Sequence, residues 1–434
     1  MGQSGNNMIF VTFNYRLGAY GWLAGTSMEK GATPNAALWD QRAVFQWVRD
    51  FISLVGGDPL KVTAMGESAG AGSLVHHLVA QGGKLDPLFQ RAILLSPAFE
   101  PMWDRAGVLE NTFQTFASLA GCGGKGLACL RSADAATLSR ANEALMKKQM
   151  PGSFAVGPAT DGSFIRQLPV LELATGNFWK IESLVLSHCA KEALLFVSGA
   201  VATNDQFNAF VGGIFPTYAA SSNLTTKVTS FYPPVTGYNS KYKTQSERVE
   251  AFIRDSSFTC NIRYLNEALG DDRVYNMQFS VAPGWHGTDL FAVFYNPKLT
   301  SDSWAELLAA FVLLPLGVLY GGISWAMQSY LASYIVTGDP NRNRAVLNVP
   351  PTVAWGHPDS RGEQVSGVVN VGNYYYSTVS DDQNQKSACD FWRQFSSAAT
   401  AVGGYSPPGA VAVPQALAVV SDDSSRSYRG GNGG

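Results

Sequence analysis

Residues 61–78 read KVTAMGESAGAGSLVHHL, with GESAG at positions 66–70. Gly and Ser are common enough in this chain that G-x-S-x-G has on the order of 0.3 chance matches, so the flanking residues decide its meaning. KVTAM (61–65) is strand-like, and AGSLVHHLVA (71–80) is helical. A strand that turns directly into a helix across a serine needs small neighbours, because bulk there collides with adjacent backbone; Gly66 and Gly70 meet that demand. Such a turn leaves the Ser68 hydroxyl at the carboxyl end of a sheet, near the helix N-terminus and the Ala69 N–H. Ser68 is therefore the candidate nucleophile.

Working outward, MIFVTFNY (8–15), RAILL (91–95), ESLVLS (182–187) and VYNMQFSV (274–281) are further strand candidates, with a helix near 37–53. Strands alternating with helical crossovers predict an α/β fold with a mostly parallel sheet. One domain over 1–420 is expected, with large insertions, followed by SDDSSRSYRGGNGG (421–434) as a disordered tail with too little apolar surface to fold.

Apolar residues make up 46 % of the 434 residues and charged ones 15 %, below the roughly 25 % of an average soluble protein. The net charge of -2 and the lack of Lys/Arg clusters exclude a nucleic-acid binder. The apolar run Leu307–Ile323 contains Pro315, Gly317, Gly321 and Gly322; these breakers are expected to interrupt a helix there, and no transmembrane segment is expected. The first residues, MGQSGNNMIF, carry no signal-peptide pattern, and the chain reads as if it starts mid-fold. No C-x2-C pair exists among the five cysteines, so a zinc site is not expected, and no metal or cofactor is implied. Cys122 and Cys129 are close enough to close a short disulfide loop, or are unpaired buried thiols.

A serine hydroxyl needs a general base, nearly always histidine, oriented by a carboxylate. His76 and His77 follow Ser68 too closely, about two helical turns away, and His188 comes too early for the order Ser, acid, His. His286 and His357 remain. His286 lies in APGWHGTDL directly after a strand, on the edge where Ser68 is expected; His357, in WGHPDS, reads as a turn residue. Glu192, in SHCAKEALLF, follows ESLVLS in the same way and is the candidate acid. Asp161, in ATDGSF, competes, although a DG pair is more often a turn.

NYRLG (14–18), PNAALWDQ (34–41), VGGDPLKVT (55–63), GESAG, LFQRAILLSPA (88–98), HGTDL (286–290) and GDPN (338–341) together resemble the type-B carboxylesterase and lipase family, which includes cholinesterases and fungal lipases. The resemblance implies an α/β-hydrolase fold, helices on both faces of the sheet, and hydrolysis of a small-molecule or lipid ester through Ser68, Glu192 and His286. It also implies disulfides Cys122–Cys129 and Cys260–Cys389 with Cys189 free, a structural salt bridge between Arg16 and Asp40, and secretion, which would make Asn223 in NLT a glycosylation acceptor. Lys191 and Ala193 stand where the family's acid motif has Asp and Gly. The family also places a strand ending in His-Gly-Gly-Gly ahead of NYRLG. This chain reads as lacking it, so missing N-terminal strands and a missing oxyanion glycine loop are expected, leaving Ala69 as the recognised oxyanion donor. A non-catalytic, adhesion-like protein on the same scaffold, or an inactive truncated product, is the alternative.

Overall fold

The computed structural model describes residues 4–149, 152–197, 199–215, 224–295 and 304–402, by their backbone alone at 224, 304–320, 401 and 402. Asn223 and the 421–434 tail lie outside the described residues.

Six strands form one sheet in the order β1 to β6: Thr63–Glu67, Arg91–Leu95, Ser183–Cys189, Val274–Phe279, Val365–Val371 and Tyr376–Asp381. The first five are parallel and β6 is antiparallel to β5. Side chains alternate across a strand, so a short run that is apolar throughout must be buried on both faces. RAILL behaves this way: Ala92 and Leu94 pack into one core, Ile93 and Leu95 into the other. On the first face the sheet is covered by the helices Ala69–Leu78, Cys260–Leu269 and Lys386–Val402, through residues such as Leu74, Leu265 and Trp392. On the second, Ile323, Met327, Tyr330 and Tyr334 of the helix Trp304–Thr337 close the core. The result is three layers, with the carboxyl ends of β1, β3 and β4 opening onto one edge.

Three expectations need correction. MIFVTFNY joins no ladder; Ile9, Phe10 and Val11 are exposed, because β1 pairs with β2 alone and no described strand lies beside residues 8–15. The helix Trp304–Thr337 runs without interruption through Pro315, Gly317, Gly321 and Gly322. A proline removes one hydrogen bond of a helix, and each glycine costs about 1 kcal/mol, both tolerable over 34 residues when the far half is anchored on the sheet. No helix among the described residues is long and apolar enough to cross a membrane. Gly70, finally, faces open space, so its small size is not what the turn requires.

Both disulfides form, Cys122–Cys129 and Cys260–Cys389, and Cys189 is free and buried. The second closes a span of 129 residues and ties two helices of the same layer. Arg16 grips Asp40 bidentately, at 2.7 Å from each nitrogen, and this hydrogen bonding holds the Asp40 carboxyl below its ordinary range.

Arg263 anchors the β5–β6 hairpin. It is fully buried and donates to the carbonyls of Ser360, Gly362, Glu363 and Asn384 and to Asn384 Oδ1, at 2.7–3.2 Å. Arg263→Met keeps the apolar stem but strands those acceptors, and is expected to cost about 3–5 kcal/mol in urea unfolding. A loss below about 1 kcal/mol would show that the acceptors find other partners.

Candidate active site

β1 ends at Glu67 and the helix Ala69–Leu78 begins one residue later, so Ser68 alone makes the reversal, at φ 54 and ψ -124. That is left-handed territory, costly for a residue with a Cβ and held only where neighbours over-determine it. Ser68 N–H donates to Leu95 O at 2.9 Å, and its carbonyl accepts from Gly72 and Ala98 N–H at 2.9 and 3.1 Å. A Cβ on Gly66 would sit 2.5 Å from the Gly70 carbonyl carbon, and one on Gly72 would sit 2.2 Å from Ala98 O. Gly66 and Gly72 are therefore the glycines that let strand, helix and the loop after β2 approach. Ala69 is the first helical residue, so its N–H has no intrahelical acceptor.

The acid and base loops meet as an extension of the β3–β4 ladder. Ala190 N–H donates to Phe279 O at 2.9 Å and Lys191 N–H to Gly284 O at 2.8 Å, with Lys191 bridged to Trp285. This register sets Glu192 opposite His286. His286 Nδ1 lies 2.8 Å from Glu192 Oε2, and Nε2 lies 2.7 Å from Ser68 Oγ. Glu192 is fully buried and accepts a second hydrogen bond from Cys189 N–H at 3.3 Å. Lys191 and Ala193, the departures from the motif, leave this geometry intact.

The other candidates have different partners. Asp161 is closed in an Asx-type turn, accepting from Ser163 and Ile165 N–H and from Asn35 Nδ2. His357 Nδ1 bonds Val274 O and its ring lies against Tyr275. His76 and His77 are packed inside, and burial pulls them down to about 4 and about 3, so both are neutral.

Several groups escaped the sequence reading. Glu67, the variable residue of the motif, places Oε1 3.3 Å from His286 Nε2. Its carboxyl is raised, chiefly by burial and further by Glu192, against the pull of His286. Asp289 is wholly buried, and neither carboxyl oxygen has a hydrogen-bond partner among the described residues. Burial, then the charges of Glu192 and Glu67, push it up to about 7. On His286 the balance runs the other way. Burial lowers it, but the Glu192 hydrogen bond and the charges of Glu192, Glu67 and Asp289 outweigh that and hold the imidazole above its ordinary value. Phe196 and Phe258 stand edge-on against the His286 ring, with centroids at 5.3 and 5.0 Å, Phe258 being carried by the π-helix Asp255–Thr259. The only sequence signal for Glu67 was its place at a strand end beside the nucleophile.

A cavity of about 380 Å³, lined by Glu100, Trp103, Asn111, Lys148 and Phe154 among others, lies to the side. Phe154, one of its lining residues, has its ring against Phe196, which in turn meets His286.

Residues 2–392 match the carboxylesterase family. A secreted lipase of Arthroderma benhamiae is 40 % identical over 405 residues, covering 93 % of this chain and 74 % of the lipase. Carboxylesterase patB of Aspergillus clavatus is 31 % identical over 395 residues, covering 90 % of this chain and 65 % of the relative. Among solved structures, Aspergillus niger EstA superimposes with a TM-score of 0.75 at 24 % identity, over 92 % of this chain and 76 % of that one. The fold is thus the α/β-hydrolase fold.

Proposed function

The chain belongs to the carboxylesterase family and is a carboxylic-ester hydrolase, and from that premise we propose that it works through an acyl-enzyme on Ser68. His286 Nε2 takes the hydroxyl proton as Ser68 Oγ adds to the ester carbonyl carbon. The carbonyl oxygen becomes an oxyanion, with the Ala69 N–H as one donor to it. Collapse breaks the bond to the alkoxy oxygen, which leaves as the alcohol with the proton held by His286. Water then repeats the sequence on the acyl-enzyme, releasing the carboxylic acid and restoring Ser68. Glu192 holds the imidazole by Nδ1 and stabilises its charged form, while the Glu67 charge lies beside Nε2. None of these steps calls on a metal or cofactor.

The observation that carries this reading is the unbroken series Ser68 Oγ, His286, Glu192, at 2.7 and 2.8 Å. A lipid ester as substrate, and an extracellular location, are proposed on the names of related secreted lipases and on the two disulfides.

Hydrolysis of p-nitrophenyl esters of graded acyl length, followed against pH, tests it. Only neutral His286 can accept the proton, so activity falls as pH drops through its pKa. Because that pKa is raised, the acid limb of kcat/KM is expected above about 6.5. Glu67→Gln removes one of the charges that raises it and should move the limb to lower pH. Absence of hydrolysis across the series would refute the proposal.

A further inference from the structure

The residue that holds Glu192 is itself held by a buried pair of side chains. His188 and Asp381 are each 2 % exposed, and His188 Nε2 lies 2.8 Å from Asp381 Oδ2. The second ring nitrogen, Nδ1, lies 3.0 Å from Cys189 O. With both nitrogens facing acceptors, the ring donates twice and is an imidazolium. Burial opposes that charge, yet Asp381 first, then Glu192 and the Cys189 carbonyl, outweigh it and raise the ring above its ordinary value. Cys189 in turn donates its N–H to Glu192 Oε1 at 3.3 Å. A second link runs parallel: Gln383 donates its N–H to Asp381 Oδ1 at 3.0 Å and its side-chain amide to Ala190 O at 2.6 Å. The turn after β6 therefore holds the acid loop at two consecutive residues. Besides each other, the charged groups acting on the pair are Glu192, on the His188 side, and Arg254, on the Asp381 side.

A buried ion pair contributes little net stability, because desolvating two charges offsets their attraction; its use lies more often in fixing one arrangement. We propose that His188 and Asp381 are positioning residues for ester hydrolysis, fixing Cys189 and through it the Glu192 carboxylate that orients His286. The series runs Asp381, His188, Cys189, Glu192, His286, Ser68. The inference rests on Glu192 being the acid of the site.

His188→Gln removes the double donor. Asp381→Ala removes the group that His188 Nε2 and the Gln383 N–H both donate to, so neither the ring nor the turn after β6 is held in place. Each substitution is made alone and in a Glu192→Gln background, with p-nitrophenyl ester kinetics and a melting curve for every protein. Alone, each is expected to lower kcat about 10- to 100-fold with KM within about threefold, since a small displacement of the acid misaligns the base. In the Glu192→Gln background the same substitution is expected to cost at most about threefold, because the group it positions is already disabled. A folded variant with kcat within about twofold of the parent, or a loss that carries over in full into Glu192→Gln, overturns the proposal. If Glu192→Gln alone leaves kcat unchanged, the acid assignment falls first, and the proposal with it.

Discussion

Ser68→Ala is expected to lower kcat for p-nitrophenyl ester hydrolysis by about 10⁶-fold, leaving only what substrate binding and the oxyanion donor supply. Without Oγ no acyl-enzyme can form, and His286 has no proton to accept. The fold should not suffer. Alanine keeps the Cβ that is already accommodated at φ 54, and the backbone bonds from Ser68 to Leu95, Gly72 and Ala98 do not involve the hydroxyl. Surface-like stability changes within about 0.5 kcal/mol are expected in the melting curve. Activity within tenfold of the parent, from protein freed of contaminating esterases, would mean that another residue is the nucleophile.

Glu192→Gln is expected to lower kcat by about 10⁴-fold through the tautomer of His286. Glu192 Oε1 accepts from the Cys189 N–H, a donor fixed by the backbone, and Oε2 accepts from His286 Nδ1. Glutamine has one acceptor and one donor end. The Cys189 N–H claims the acceptor, so the amide NH₂ faces Nδ1 and drives the ring proton to Nε2. Nε2 then cannot take the Ser68 proton. The acid limb of the residual activity should also move down, since the strongest group raising His286 has lost its charge. A loss smaller than about tenfold would identify another group as the orienting acid.

What the sequence disclosed was mainly local. Ala92 to Leu95 are uniformly apolar because both faces of β2 are covered there, and the charged Arg91 ahead of them marks where the strand starts. The elbow was readable because Gly66 is forced by the close approach of Gly70, a requirement that acts within five residues. Glu192 and His286 could be chosen because each follows a strand that delivers it to the same edge. The β5–β6 hairpin was not read. Gly367, at φ 75 and with its Cβ position 2.8 Å from His357 O, breaks the apolar run of β5, and the Arg263 anchor comes from about one hundred residues earlier. Residues 8–15 have the composition of a strand, but a strand also needs a hydrogen-bonding neighbour, and composition does not contain one. The groups around the triad were hidden for the same reason. Phe258 and the His188–Asp381 pair act through contacts between distant segments, 193 residues apart for the last, and leave no periodicity or motif behind, while Glu67 and Asp289 stand inside GESAG and HGTDL without either motif telling that both charges act on His286.

The central claim is that Ser68 is an activated nucleophile at the end of a hydrogen-bonded series. It is tested most directly by reacting the folded chain with a fluorophosphonate probe and locating the adduct by tandem mass spectrometry. The expected result is one adduct per chain, on the peptide containing GESAG and assigned to Ser68, and none in His286→Ala at the same exposure. An unlabelled chain, or an adduct on any other residue, would contradict the account.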